Sequence, residues 1–241
     1  MTAVPEERTR RRRADAGVVR ATERDVLGMS WVVEMGGMPF DLLQRVLGAP
    51  SYSALQNVVS RWRRAGWVET ARLGPGPQWC WATRAGIERF GRHPYAPTPM
   101  SVTRIAHTRE VIQVRRVLER RFRDQDFVWH SERELRWQLG TEIGSNAARQ
   151  HLPDGVFEIV TPDGEPHREA VEVELTPKSV QRVQANMTAS AAGVDAAVWV
   201  VSDRALPVVR RACDPGSFRV HERVLIVPLS RIYEELGEEE R

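Results

Sequence analysis

The chain has 241 residues, room for one large or two small domains, and its 41% hydrophobic and 28% charged content excludes both a disordered chain and a fibrous repeat. No apolar run approaches the ~18 to 20 residues of a membrane span, and the Arg-rich start lacks the apolar stretch of a secretory signal, so we expect a cytoplasmic chain without a membrane partner. Cys80 and Cys213 stand far apart with no His or Cys at ligand spacing, which argues against a disulfide framework and a structural zinc. The net charge of +3 hides a split: residues 1–100 carry 15 Arg against 9 acids, whereas residues 101–241 carry 20 basic residues against 23 acids. The front half therefore faces polyanions. Every basic residue but one is Arg, and the exception is Lys178.

Residues 1–20, with Arg8 and the run from Arg10 to Arg13, show no apolar period and read as a flexible basic arm, open to phosphate contact or to plain solvation. Thr22 caps a first helix, where Glu23 and Asp25 suit the positive helix end. Pro39 interrupts, Asp41 caps a second helix, and Gly48 with Pro50 ends it. In a third helix ending near Ala65, Leu55, Val58, Val59 and Trp62 recur at helical spacing. Gln56, Asn57, Ser60, Arg61, Arg63 and Arg64 line its other side. Gly66 stops that helix, and strands over 67–72 and 78–83 flank the turn Gly74-Pro75-Gly76-Pro77. Three helices and a hairpin over residues 21–92 resemble a winged helix-turn-helix, as does the phrase Ala65-Gly66-Trp67-Val68. The resemblance implies a third helix in the major groove of double-stranded DNA, its polar side chains at base edges, with Arg72 in the wing at a phosphate or the minor groove. The same helix face also reads as ordinary solvated surface, and winged helices also dock proteins.

Pro94, Pro97 and Pro99 make residues 93–100 a stiff linker. From 101 to 230 the pattern runs as a long helix to 123, a short strand at 127–129, a helical turn at 132–139 and strands at 154–160 and 168–175. A helix at 179–192, a strand at 197–202, a helix at 206–213 and a last strand at 219–227 follow. This is an α/β sandwich of αβββαβ order. Residues 231–241 read as an acidic frayed tail.

Alternation along 168–175 puts Val171, Val173 and Leu175 on one face and Glu172 and Glu174 on the other, and a hairpin returns Asp154 beside the acids. Carboxylates from two adjacent strands suit Mg²⁺ or Mn²⁺. Lys178, where the next helix opens, offers charge to an attacking water or to the transition state, and Arg182 one turn on is a candidate DNA contact. The chemistry implied is metal-dependent phosphodiester hydrolysis. The bland alternative makes Glu172 and Glu174 the wet side of an edge strand, Asp154-Gly155 a turn pair, and Lys178 and Arg182 partners in surface ion pairs.

Pro153-Asp154, 17 intervening residues and Glu172-Val173-Glu174 resemble the PD-(D/E)xK nuclease superfamily, except that Glu174 occupies the usual lysine position, making Lys178 a migrated lysine. The whole layout over about residues 22 to 230, with His107-Thr108-Arg109-Glu110-Val111 on the long helix and the stretch from Trp129 to Leu135, resembles the plasmid replication-relaxation family, which includes the MOBC-type relaxases. That resemblance implies nicking in the replication or mobilisation of a plasmid or integrative element, with relaxosome or transfer proteins as partners. It also implies catalytic roles for Asp154, Glu172, Glu174 and Lys178, and supporting roles for His107 and Glu132. The chain lacks a histidine-hydrophobe-histidine cluster, a phosphate-binding G-x-x-x-x-G-K-[ST] loop and a G-x-S-x-G elbow. Two hypotheses stand: a metal-dependent nicking endonuclease, or a non-catalytic DNA-binding regulator or replication accessory protein on a degenerate nuclease fold.

Overall fold

Thr22 opens the first helix with a reciprocal cap, its hydroxyl accepting the Asp25 N–H while the Asp25 carboxylate accepts the Thr22 N–H at 2.8 Å. The computed structural model describes residues 20–143, 150–213 and 223–237, so all of the basic arm but Arg20 lies outside the described residues. Helix α1 spans Glu23–Glu34, β1 Met38–Pro39, α2 Phe40–Val46, α3 Tyr52–Arg64, β2 Val68–Ala71, β3 Trp79–Ala82 and α4 Arg84–Phe90. Pro39 does more than interrupt a helix. With Met38 it forms an edge strand antiparallel to β3, where a missing N–H is tolerated, and the small sheet runs β1-β3-β2. Asp41 makes no cap; the N-cap position of α2 is Pro39, and Asp41 instead receives both guanidinium nitrogens of Arg109. Met29, Val32, Leu43, Leu55 and Trp62 form the buried centre of this part.

Residues 93–100 contain no helix or strand, yet they are anchored: Tyr95 is buried and donates its hydroxyl to the buried Glu34. There follow α5 (Ile105–Arg121), β4 (Val128–Ser131), α6 (Glu132–Ile143), β5 (Gly155–Val160), β6 (Pro166–Glu174), α7 (Val180–Ser190), β7 (Ala196–Val201), α8 (Leu206–Ala212), β8 (Val224–Pro228) and α9 (Leu229–Gly237). The second sheet runs β4-β5-β6-β7-β8, antiparallel through β6 and parallel from β6 to β8. The expected helical turn at 132–139 is a twelve-residue helix. The acidic tail is helical as far as Gly237, because Ile232 and Leu236, four apart, bury against the α5 side of the sheet while Arg120 donates to the Glu235 carbonyl at 2.6 Å. The described chain is thus a mixed α and β protein, and none of its helices is long and apolar enough to cross a membrane.

One consequence of this layering decides the chemistry of β6. Val171 and Val173 join the core formed with α5 and α9, whereas Ala170 on the alternate face joins the core formed with α7 and α8. Glu172 and Glu174 share that second face and are 5% and 3% exposed. They are not the wet side of an edge strand: β6 lies between β5 and β7 and is covered on both faces. Gly155 is no turn residue either. It lies in β5 without a positive φ, and a Cβ there would come within 2.1 Å of the Trp129 ring.

Candidate functional site

The β5–β6 ladder pairs Gly155 with Val171, and one further step sets Asp154 opposite Glu172 at the end of the hairpin. Asp154 is tied from two sides. Its Oδ1 lies 2.7 Å from His107 Nε2 on α5, and its Oδ2 accepts the Val173 N–H at 2.8 Å. Burial disfavours a charged His107 ring, yet the hydrogen bond and charge of Asp154 outweigh it and raise the pKa above the usual imidazole value.

Behind the strand, Glu172 Oε1 stands 3.4 Å from His151 Nε2, which also lies 3.3 Å from Ser190 Oγ on α7. Glu172 Oε2 has no partner among the described residues. Burial pushes the Glu172 carboxyl up to about 7, with the charge of Asp154 adding to it against the opposing hydrogen bond from His151. His151 is raised by its bond to Glu172 in spite of burial. Glu174 Oε2 lies 2.6 Å from Lys178 Nζ, close enough for an ion pair but without the alignment of a hydrogen bond. Lys178 thus reaches the acidic face from the loop before α7, while Arg182 is exposed, and among the described residues no hydrogen bond or ion pair joins it to these acids.

Among the described residues no group of three or more His, Cys, Asp or Glu side chains is placed to hold a metal ion. A pair is present. Asp154 and Glu172 are adjacent hard-oxygen donors, and the partnerless, buried Oε2 of Glu172 is the sort of atom that a cation would satisfy. Mg²⁺ needs only one or two protein carboxylates because it keeps several waters. Carboxylates of this kind suit Mg²⁺ or Mn²⁺, but both Asp154 oxygens already have partners in His107 and the Val173 N–H, and Glu174 is paired with Lys178, which leaves Oε2 of Glu172 as the unpartnered donor.

The Glu132 N–H donates to the Asp154 carbonyl at 3.2 Å, but among the described residues no hydrogen bond or ion pair joins the two side chains. The two oxygens of Glu132 take Arg104 at 2.8 Å and Arg136 at 2.9 Å, and against its burial these guanidiniums lower its pKa. Glu132, Arg104, Arg136, His107 and Asp154 all line one cleft. The sequence reading missed His151, Arg104 and Arg136. Helical spacing held the signals for two of them, since Arg104 precedes His107 by three positions and Arg136 follows Glu132 by four.

On α3, Leu55, Val59 and Trp62 point into the core, and Gln56, Asn57, Ser60, Arg63 and Arg64 are exposed. Arg72 is exposed at the turn after β2. Arg61 differs from the others: it is paired with Asp25 of α1, which has no exposed surface and also accepts the Trp62 indole N–H at 2.7 Å. Its guanidinium is thus engaged within the fold, with a third of the side chain exposed. Between α3 and the hairpin an open groove is lined by Ser60, Arg63, Arg64 and Glu69. Compared with known proteins, the chain matches no family model, no curated protein and no solved structure.

Proposed function

We propose that this chain binds double-stranded DNA through a winged helix-turn-helix built on the first sheet. We further propose that it cuts one strand at a PD-(D/E)xK-like site on the second, acting in replication or mobilisation of a plasmid or integrative element with relaxosome or transfer proteins. Asp154 opposite Glu172 at one end of a central hairpin, with His107 bonded to the first and an unpartnered oxygen on the second, supports this most directly. The order helix, strand, helix, helix, hairpin supports the DNA-reading half, because it leaves a polar helix face of Gln56, Asn57, Ser60, Arg63 and Arg64 outward. Asp154 and Glu172 would hold Mg²⁺ or Mn²⁺. The ion would supply a water of lowered pKa and a sink for the charge developing on phosphate. The chain itself contributes His107, which fixes the orientation of Asp154 and binds a proton more tightly than a free imidazole, and Lys178, which neutralises Glu174 so that a phosphate is not repelled.

Supercoiled DNA carrying the element's origin, incubated with the protein and Mg²⁺ or Mn²⁺, is expected to become open circles, and Asp154→Ala to slow this by about 10² to 10⁴-fold. DNA that shifts in a gel and stays intact with either ion overturns the hydrolytic half. A second reading, a regulator or accessory protein on a degenerate nuclease fold, is favoured by one observation: Asp154 and Glu174 already have partners within the chain. Intact, shifted DNA is its signature.

A further inference from the structure

A cleft of about 400 Å³ opens beside His107 and Asp154, between residues 96–101 on one side and α5 and α6 on the other. Its walls differ in character. Tyr95, Met100 and Trp137 give the lining aromatic and apolar surface beside the buried Glu34 and Ser131, and Trp137 is itself held by stacking on His93 with ring centres 4.0 Å apart. Arg104 and Arg136, 59% and 39% exposed, both pair with the carboxylate of Glu132, and the cleft also carries Arg133, Glu34 and Asp154.

We propose that this cleft takes one unpaired nucleotide of a DNA strand, its base among Trp137 and Met100 and its phosphate on Arg104 and Arg136, beside Asp154. The inference rests on the strand-cutting reading above and names the form in which the strand reaches the site. Three features support it. The volume lies at the small end of ligand sites, sufficient for a nucleotide and far too small for a duplex. Two guanidiniums gathered on one carboxylate, Glu132, are of the chemistry that takes phosphate oxygens. Aromatic walls favour a base of any identity, and stacking on them offsets the unstacking that extruding a nucleotide requires.

A single-stranded tetranucleotide carrying 2-aminopurine tests the proposal on the full chain, alongside a fully paired duplex and deoxyadenosine monophosphate. Binding to the tetranucleotide is expected to quench the probe, and Arg104→Ala and Arg136→Ala each to weaken it by about ten-fold, the worth of one charged hydrogen bond. Ser101→Trp, which fills the mouth from an exposed position, is expected to abolish tetranucleotide binding while the thermal melt and duplex binding stay unchanged. A tetranucleotide that fails to bind, or that binds Ser101→Trp as well as the native chain, overturns the proposal. So does a mononucleotide bound as tightly as the tetranucleotide, which assigns the cleft to a free ligand. Tetranucleotide binding with no duplex binding sinks the winged-helix reading and leaves the cleft assignment standing.

Discussion

His107 and Asp154, 47 positions apart, meet through Nε2 and Oδ1 at 2.7 Å, and the same carboxylate accepts the Val173 N–H at 2.8 Å. One side chain therefore joins α5 to β6 around the end of the sheet. Asp154→Ala leaves both donors without that acceptor, so a loss of about 1 to 3 kcal/mol is expected in urea unfolding. Asp154→Asn keeps an acceptor and is expected to lose less stability, while nicking is slowed in both. Undiminished stability in Asp154→Ala would show that the joint is not structural.

Glu172 sets a pH dependence whose sign can be worked out. Its carboxyl binds a proton more tightly folded, at about 7, than at the ordinary 4.5, so its stabilising contribution is complete below 4.5 and is lost as pH rises through 7. The loss at full ionisation is roughly 3 kcal/mol. His107 and His151 are also raised, and their contributions fade with rising pH in the same way. Denaturant midpoints are expected to fall between about pH 5 and pH 8. The fall should be shallower in Glu172→Gln, and Mg²⁺ should restore the native chain at the upper end but not the variant. An unchanged pH slope in Glu172→Gln refutes this account.

Gly155 gives Trp129 its place. The ring lies where a side chain at 155 would stand, at 2.1 Å from a Cβ, so Gly155→Ala must displace strand or ring. A destabilisation of about 2 to 3 kcal/mol is expected, as for overpacked cores. Because Asp154 is the next residue, strand cutting should fall with it. A melt that does not move would mean the site relaxes freely.

The arginines of α3 divide by what they touch. Arg61→Ala removes a partner from the buried Asp25 and is expected to lose about 1 to 3 kcal/mol of stability with little change in DNA affinity below the melting range. Arg63→Ala and Arg64→Ala, both exposed, are expected to leave the melt unchanged and to weaken duplex binding, each lowering the salt slope by about 1 per phosphate contact. Gel-shift titrations at several salt concentrations beside thermal melts separate the two classes. The reverse pattern would return Arg61 to the DNA face.

What could be read from residues alone was local. Thr22 announces α1 because a cap acts within three residues, Leu55, Val59 and Trp62 announce α3 by their spacing, and the hairpin between β5 and β6 follows from alternation around a turn rich in Pro and Gly. The approach of Asp154 to Glu172 was legible for the same reason, since antiparallel pairing needs only a turn and a register. The acidic density of the tail, by contrast, hid the periodic pair Ile232 and Leu236, whose helix is stabilised by the sheet and by α5, the latter more than a hundred residues upstream.

Only the tertiary structure decided that Glu172 is buried, that His151 stands against it, that Arg61 belongs to Asp25 and that residues near 34, 95, 104 and 136 wall one cleft. Caps, turns and periodicity depend on neighbours a few positions away. Burial and charge, which set a carboxylate's proton affinity and an arginine's partner, depend on which helices arrive from elsewhere in the chain to cover the strand.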